Sequence, residues 1–240
     1  MEEKEINISN EQIKELELLK SRFISLVSHE FRTPLTTILS SIELLENYSE
    51  KLVKEEKNQI YCSIKHAIDR MTMLLDNVSI LGKVDSGRMT CRPEPVDLEK
   101  FCLSLLDELK VDTNRITFSY EGVCNNVSVD KGLLRTILLN ILLNALKYSP
   151  EGTPVSCSLI YKAKEVIFII KDKGIGIPGE EKDRVFEAFH RAKNVGTIPG
   201  AGLGFTIVRR CLELHKGNIS ISSLVGEGTT VTINIPLYII

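Results

Sequence analysis

The sequence predicts an α-helical hairpin that pairs into a dimeric four-helix bundle, followed by an α/β two-layer sandwich. Three observations predict it. Apolar residues recur at steps of three and four through the first part of the chain. A stretch rich in glycine, proline and charge, residues 82–95, then breaks that rhythm. Beyond it come short alternating runs and apolar helical segments, with strands and helices segregated rather than strictly alternating, which favours a two-layer sandwich over a doubly wound sheet.

At 240 residues the chain has room for one large domain or two modest ones. A net charge of −2 gives no electrostatic case for binding nucleic acid or an anionic membrane. No apolar run approaches the roughly 20 residues of a membrane span. The polar, acidic start MEEKEINISN is not a signal peptide, so this fragment is expected to be cytoplasmic. Cys62, Cys91, Cys102, Cys124, Cys157 and Cys211 form no CxxC pair and no histidines cluster with them. They are expected as free thiols in a reducing compartment, with no zinc site.

From Gln12 onward the pattern is helical. Leu16, Leu19, Phe23 and Leu26, then Leu35, Ile38, Ile42 and Leu45, trace one apolar face. Arg22, Ser25, His29, Arg32, Thr36 and Ser40 form a polar stripe on the other side. Within FISLVSHEFRTPLTTILSSI (residues 23–42), His29 sits beside Glu30, Thr33 follows one turn later, and Pro34 stands where a helix ordinarily avoids proline. Periodicity alone leaves His29 open between an ordinary side chain and a phosphoryl acceptor. Residues 47–54 are polar and predict a turn. Ile60, Ile64, Ala67, Met71, Leu74, Val78 and Leu81 then form a heptad seam, widened by Ile68 and Leu75. Faces this wide cannot be buried within one hairpin, which predicts a homodimer.

The 82–95 stretch predicts a linker. The division expected is a helical, dimerising domain over 1–85, a linker over 86–96 and a second domain over 97–240. Asp97 suits the N-cap of a helix over 98–109. Strands are predicted over 116–120, Val155–Tyr161, Glu165–Lys171, 218–222 and 229–236, with the second and third as a hairpin. Helices are predicted over 133–146 and 203–214, and a glycine turn over 226–228.

Four stretches here suggest chemistry. In LLNILLNALKYSP, Asn140 and Asn144 share a helix face that Lys147 and Tyr148 extend. Amide oxygens suit Mg²⁺ and a lysine suits phosphates, though the same pattern fits a helix with two surface asparagines. In DKGIGIP (172–178) the glycines permit close backbone approach, and Asp172 could accept from an exocyclic amine such as that of adenine. Pro178 excludes the dinucleotide-binding fingerprint, which needs a third glycine opening a helix. GTIPGAGLG (196–204) leads into a helix and could form a phosphate site, or be a flexible surface loop. GEGTT (226–230) by itself is only a hairpin turn. The chain has no GxxxxGK[ST] loop and no Ser/His/Asp constellation stands out.

Taken in order, these motifs resemble the sensor histidine kinases of two-component signalling over nearly the whole chain. SHEFRTPL resembles the H box, NILLNALKY the N box, DKGIGIP the G1 box, FEAFHRA the F box, GAGLG the G2 box and GEGTT the G3 box. The resemblance implies a dimeric hairpin and an ATP-binding sandwich of the Bergerat (GHKL) type shared with Hsp90, gyrase B and MutL. It implies a protein-histidine kinase that uses ATP and Mg²⁺, with a response-regulator receiver domain as partner and possible phosphatase activity toward it. It also implies an upstream, PAS-like sensor domain in a parent protein that can carry a membrane anchor.

Carried over, His29 becomes the phosphorylated nucleophile. Glu30 orients its imidazole, Thr33 positions a water for the reverse reaction, and Pro34 bends the helix. Asn144 holds Mg²⁺, with Asn140, Lys147 and Tyr148 around the nucleotide. Asp172 binds the adenine amine, with Gly174, Gly176 and Ile177 beside it. Residues 186–204 become the ATP lid, with Arg191 reaching the γ-phosphate. Gly202, Leu203 and Gly204 line the triphosphate, and Thr229 or Thr230 closes the adenine side. The receiver is expected to dock beside residues 36–40. Ala201, Phe205 and Lys173 depart from commoner family choices without removing a group the chemistry needs. An ATP-driven clamp or an anti-sigma-type serine kinase would share the later motifs but lack SHEFRTPL. A non-enzymatic dimeric scaffold would have a degenerate nucleotide site, against which Asn144, Asp172 and the lid glycines stand.

Overall fold

The computed structural model describes residues 2–109, 115–122, 127–198 and 200–237, the side chains of 2–23, Leu26 and Asp85 excepted. Cys124 and the side chains of Leu16, Leu19, Arg22, Phe23 and Leu26 therefore lie outside the described residues. The chain divides into two compact units, one built on residues up to Val78 and the other on most of those after it.

The first unit is a hairpin of α1 (Glu2–Tyr48) and most of α2 (Lys54–Asp85). The turn falls where the sequence predicts it. Leu52 N–H donates to Tyr48 O at 3.2 Å, and Val53 N–H donates to Glu56 Oε2 at 3.0 Å. That second bond is half of a capping box, satisfying an N–H that the new helix would otherwise leave orphaned.

Each helix splits its apolar rhythm in two. On α2, Ala67, Leu74 and Asn77 are buried, and Ile60, Ile64, Met71 and Val78 are half-buried. On α1, Glu30, Pro34 and Ser41 are buried, with Ile38 and Leu45 half-buried. Leu35, Leu39 and Ile42 on α1, and Tyr61, Ile68 and Leu75 on α2, remain between 40% and 58% exposed. The single apolar face predicted for Leu35, Ile38, Ile42 and Leu45 is thus two adjacent ones. The inner one also holds a glutamate, a proline and a serine.

The second unit runs β1 (Glu94–Val96), α3 (Leu98–Glu108), β2 (Ile116–Glu121), β3 (Val127–Val129), α4 (Lys131–Tyr148), β4 (Val155–Tyr161), β5 (Glu165–Lys171), α5 (Gly204–Leu214), β6 (Asn218–Leu224) and β7 (Gly228–Pro236). Five strands form a mixed sheet in the order β2-β4-β5-β7-β6. β2 and β4 are parallel and the other pairs antiparallel. A parallel pair needs a crossover, and α4 lies within it. Alternation along β7, with Val231, Ile233 and Ile235 buried and Thr230, Thr232 and Asn234 half-buried, marks the face turned to the core. Leu133, Leu134, Ile137, Leu138, Ile141 and Leu142 bury one broad face of α4.

β1 and β3 form a separate two-stranded ribbon. The sequence reading missed both. Three-residue strands carry no legible period, and Pro95 within β1 has no N–H for a ladder, so Glu94–Val96 passes for linker on composition.

Two caps join this unit. Asp97 accepts from Lys100 N–H at 3.1 Å and starts α3 as predicted. Asp130 starts α4, with Oδ1 accepting from Leu133 N–H at 2.9 Å and Oδ2 from Arg92 N–H at 2.8 Å. The Asp130 N–H itself donates to Nε2 of fully buried His215 at 3.1 Å, so Nδ1 carries the proton, 3.3 Å from Cys211 O. Burial pushes the His215 pKa down from 6.5, outweighing the Cys211 bond and the Asp130 charge. A depressed histidine leaves stability intact above its unfolded pKa and erodes it as pH falls below about 6.5. Melting of the full chain is therefore expected to drop between about pH 7.5 and 5.5, and to drop less in His215→Gln. Equal drops in the two proteins would refute the role given to His215.

Candidate functional site

In the helical unit, His29 projects from α1 with 71% of its side chain exposed. Glu30, the next residue, turns inward and is buried. Successive helical residues lie about 100° apart, so one can face solvent while the next faces the seam. Glu30 Oε1 lies 4.0 Å from His29 Nδ1, beyond hydrogen-bond reach, while Oε2 accepts from Arg70 Nη2 of α2 at 3.0 Å. Thr33 is exposed, its Oγ1 3.5 Å from His29 O. Pro34 cannot donate to the Glu30 carbonyl, so the helix loses one bond directly below the histidine. Ser25, Arg32, Thr36 and Ser40 are exposed, as the polar stripe predicts.

In the sandwich, the site is built where α4, α5 and the ends of β5 and β7 meet. Asn140 is buried and donates to Thr136 O at 2.9 Å. A Cβ on Gly204 would stand 3.0 Å from Asn144 Nδ2 and 3.4 Å from Asn140 Oδ1, so the first residue of α5 rests against both asparagines. Leu203, the α5 N-cap, is buried and offers no side-chain cap. The first N–H groups of α5 are left for another acceptor. Lys147 Nζ lies over the Tyr148 ring at 4.7 Å and 3.3 Å from its hydroxyl.

Asp172 follows directly on β5 and is buried. Its Oδ1 accepts from Gly174 N–H at 2.8 Å and Thr229 N–H at 3.2 Å. That anchorage leaves Oδ2 to accept from something else. Burial raises the Asp172 pKa, with the two backbone bonds opposing it. Gly176 needs to be glycine: its φ is +68°, and a Cβ would lie 2.0 Å from Leu224 O. Ile177 N–H donates to Ser223 Oγ at 2.8 Å, and Ser223 Oγ donates to Gly228 O at 2.8 Å. Thr229 Oγ1 is 2.9 Å from the same hydroxyl. Thr229 therefore supports Asp172 and the loop, while half-buried Thr230 pairs with Lys171 and Ser222 in the sheet.

The segment predicted as a lid is tied at its neck. Phe189 N–H donates to Gly202 O at 3.0 Å, and a Cβ on Gly202 (φ +68°) would strike His190 O at 2.6 Å. His190 Nε2 lies 2.5 Å from Oε2 of buried Glu181. Asn194 Nδ2 donates to Gly176 O at 2.8 Å, pinning the segment to the Asp172 loop. Arg191 donates through Nη2 to Ile198 O and, at 3.4 Å, to Gly196 O. Its guanidinium is thus occupied by lid carbonyls. Phe205 packs edge-on against Phe186 with centroids 5.8 Å apart.

Residues from five separated stretches thus converge in the sandwich, and His29, Glu30 and Thr33 converge on α1. Arg70, Ser223, Asn194 and the Glu181–His190 pair were not found from sequence. Ser223 left a signal: it shares the inward phase of β6 with Ile219 and Ile221. Among the described residues, no three His, Cys, Asp or Glu side chains gather as a metal centre, and no helix is long and apolar enough to cross a membrane. Cys62, Cys91, Cys102, Cys157 and Cys211 are free thiols.

Comparison with known proteins finds relatives for both parts of the chain. Residues 19–87 match the His Kinase A (phospho-acceptor) domain family, and residues 129–239 match the histidine kinase-, DNA gyrase B- and HSP90-like ATPase family. The chain is 31% identical to sensor histidine kinase WalK of Bacillus subtilis over 224 residues, covering 90% of this chain and 36% of that protein. It is 30% identical to the solved structure of the mycobacterial sensor histidine kinase MprB, covering 62% of this chain and all of that one, with a TM-score of 0.52. Full-length ShkA, solved in complex with AMPPNP, superposes with a TM-score of 0.61 at 25% identity, over 92% of this chain and 46% of that one. The chain spans about a third of the length of the first curated relatives it matches.

Proposed function

The chain belongs to the sensor histidine kinases of two-component signalling, and we propose that it is a catalytic core that phosphorylates His29 from ATP and passes the phosphoryl group to an aspartate of a receiver domain. The observation that carries this reading is Asp172: a buried carboxylate with one oxygen anchored by two backbone N–H groups and the other left to accept. That is the arrangement an adenine amine requires. The ShkA complex with AMPPNP supports an adenine nucleotide as the ligand of this fold.

In this reading residues 1–85 dimerise and carry His29, 86–96 link, and 97–240 bind ATP. Asp172 Oδ2 takes the adenine amine, beside Gly174, Gly176 and Ile177. Thr229 steadies Asp172, and Thr230 lies beside it in the strand. The N–H groups after Gly202 and Leu203, beginning at Gly204, take the phosphates with the help of the helix dipole. Lys147 and Tyr148 flank them. Asn140 and Asn144 fit Mg²⁺, which takes one or two protein oxygens and fills its shell from phosphates and water. Asn144 is the residue that would hold it, and the ion would neutralise phosphate charge. Arg191 reaches the γ-phosphate by exchanging its lid carbonyls for phosphate oxygens.

Transfer is then mostly positioning. The Nε2 lone pair of neutral His29 attacks the γ-phosphorus. The Nε2–P bond forms, the bond to the β–γ bridging oxygen breaks, and ADP leaves with that electron pair. The Nδ1 proton is directed at Glu30 Oε1, which balances the charge gained by the ring. Thr33 would orient a water for dephosphorylation of the receiver, which docks beside residues 36–40. The wild-type chain incubated with γ-labelled ATP is expected to gain an acid-labile, base-stable label that a receiver domain removes. A base-labile, acid-stable adduct would contradict a phosphoramidate.

The open stripes of Leu35, Leu39 and Ile42 and of Tyr61, Ile68 and Leu75 support a homodimer, because a second hairpin would bury them. The upstream sensor, of PAS-like type, belongs to the parent protein. Light scattering at micromolar concentration should give twice the chain mass, and Ile68→Glu with Leu75→Glu should give a monomer. A monomeric wild type would refute the bundle.

A further inference from the structure

We propose that Arg70 is a positioning residue for phosphoryl transfer, holding Glu30 so that one carboxylate oxygen is presented to His29. The inference rests on the kinase reading above. Glu30 is 5% exposed, and a buried carboxylate needs a partner. Its two oxygens divide. Oε2 accepts from Arg70 Nη2 at 3.0 Å, and Oε1 faces His29 Nδ1 at 4.0 Å.

The two ends of this relay differ in freedom. Arg70 reaches across the hairpin from α2 and its side chain is 30% exposed, so the guanidinium end is held between helices. The imidazole is mostly in solvent and turns at little cost. Closing about 1 Å brings Nδ1 into hydrogen-bond range of Oε1. The nucleophile is thus oriented by a carboxylate that a third group orients in turn. During transfer the Nε2–P bond forms, ADP leaves with the bridging electron pair, and Nδ1–H is held by Oε1. Arg70 exchanges no proton and touches no reacting atom. Its contribution is the direction of Oε1.

A purely structural pin between helices would predict a different pattern of effects. In the full chain, Arg70→Met keeps most of the aliphatic stem while removing the charge. It should lower the maximal rate of His29 labelling about 10-fold or more, leaving the KM for ATP within about twofold. Arg70→Lys should recover much of the rate. In a Glu30→Gln background, Arg70→Met should cost nothing further, because both changes break one relay. A wild-type rate for Arg70→Met overturns the proposal. So does an equal loss in both backgrounds, or a loss that Lys does not relieve. If the wild-type chain itself takes no label on His29, it is the kinase reading that fails, so the two failures are distinguishable.

Discussion

The His29→Gln chain is expected to take up no label from γ-labelled ATP while binding nucleotide as tightly as wild type. Glutamine offers an amide nitrogen whose lone pair is delocalised, so no phosphoramidate forms, and the rate should fall by more than about 10³-fold. The fold should not suffer. His29 is 71% exposed and its nearest carboxylate is 4.0 Å away, and surface changes of this kind typically shift stability by within about 0.5 kcal/mol. In the proposed reading nucleotide binding belongs to Asp172 and its neighbours, more than a hundred residues later in the chain. Labelling that survives the substitution would place the acceptor elsewhere.

Asp172→Asn is expected to weaken nucleotide binding by about 30- to 1,000-fold, measured by calorimetry or displacement of a fluorescent analogue. The asparagine Oδ1 can still accept from Gly174 and Thr229, so the loop survives. Its other atom becomes an NH₂ group, and a donor then meets the donor of the adenine amine. The wild-type pH dependence carries the same sign. Burial raises the Asp172 pKa, so protonation starts at higher pH than for an exposed aspartate. Affinity should therefore fall as pH drops through that raised pKa, whereas this carboxyl's own contribution to folding stability improves as it is protonated. An affinity unchanged by the substitution would remove Asp172 from the site.

The elements that carried a strong period were legible at once. β4 and β5 fall on their predicted limits, and α4 extends the predicted helix by two residues at each end. The elements that failed were short. β1 and β3 are three residues each, and a strand of that length is held by its partner rather than by its own pattern. The candidate site residues stood out in the sequence because each sits in a motif of unusual composition. The residues that support them were not, because Arg70, Asn194 and Ser223 lie in stretches with no such signature.

Sequence by itself determined the two architectures, the order of the six motifs and the polar stripe that carries His29, since periodicity and local composition record which face of an element is apolar and where the backbone must turn. Tertiary structure decided the partners. Glu30 meets Arg70 forty residues away, and Asp172 meets Thr229 fifty-seven residues away. Such bonds depend on how one element is set against another, and a side chain's own neighbourhood in sequence carries no trace of that setting. The structure also divided the broad apolar face of the hairpin into an inner seam and an open stripe, because burial is a property of what packs opposite a residue and not of the residue alone.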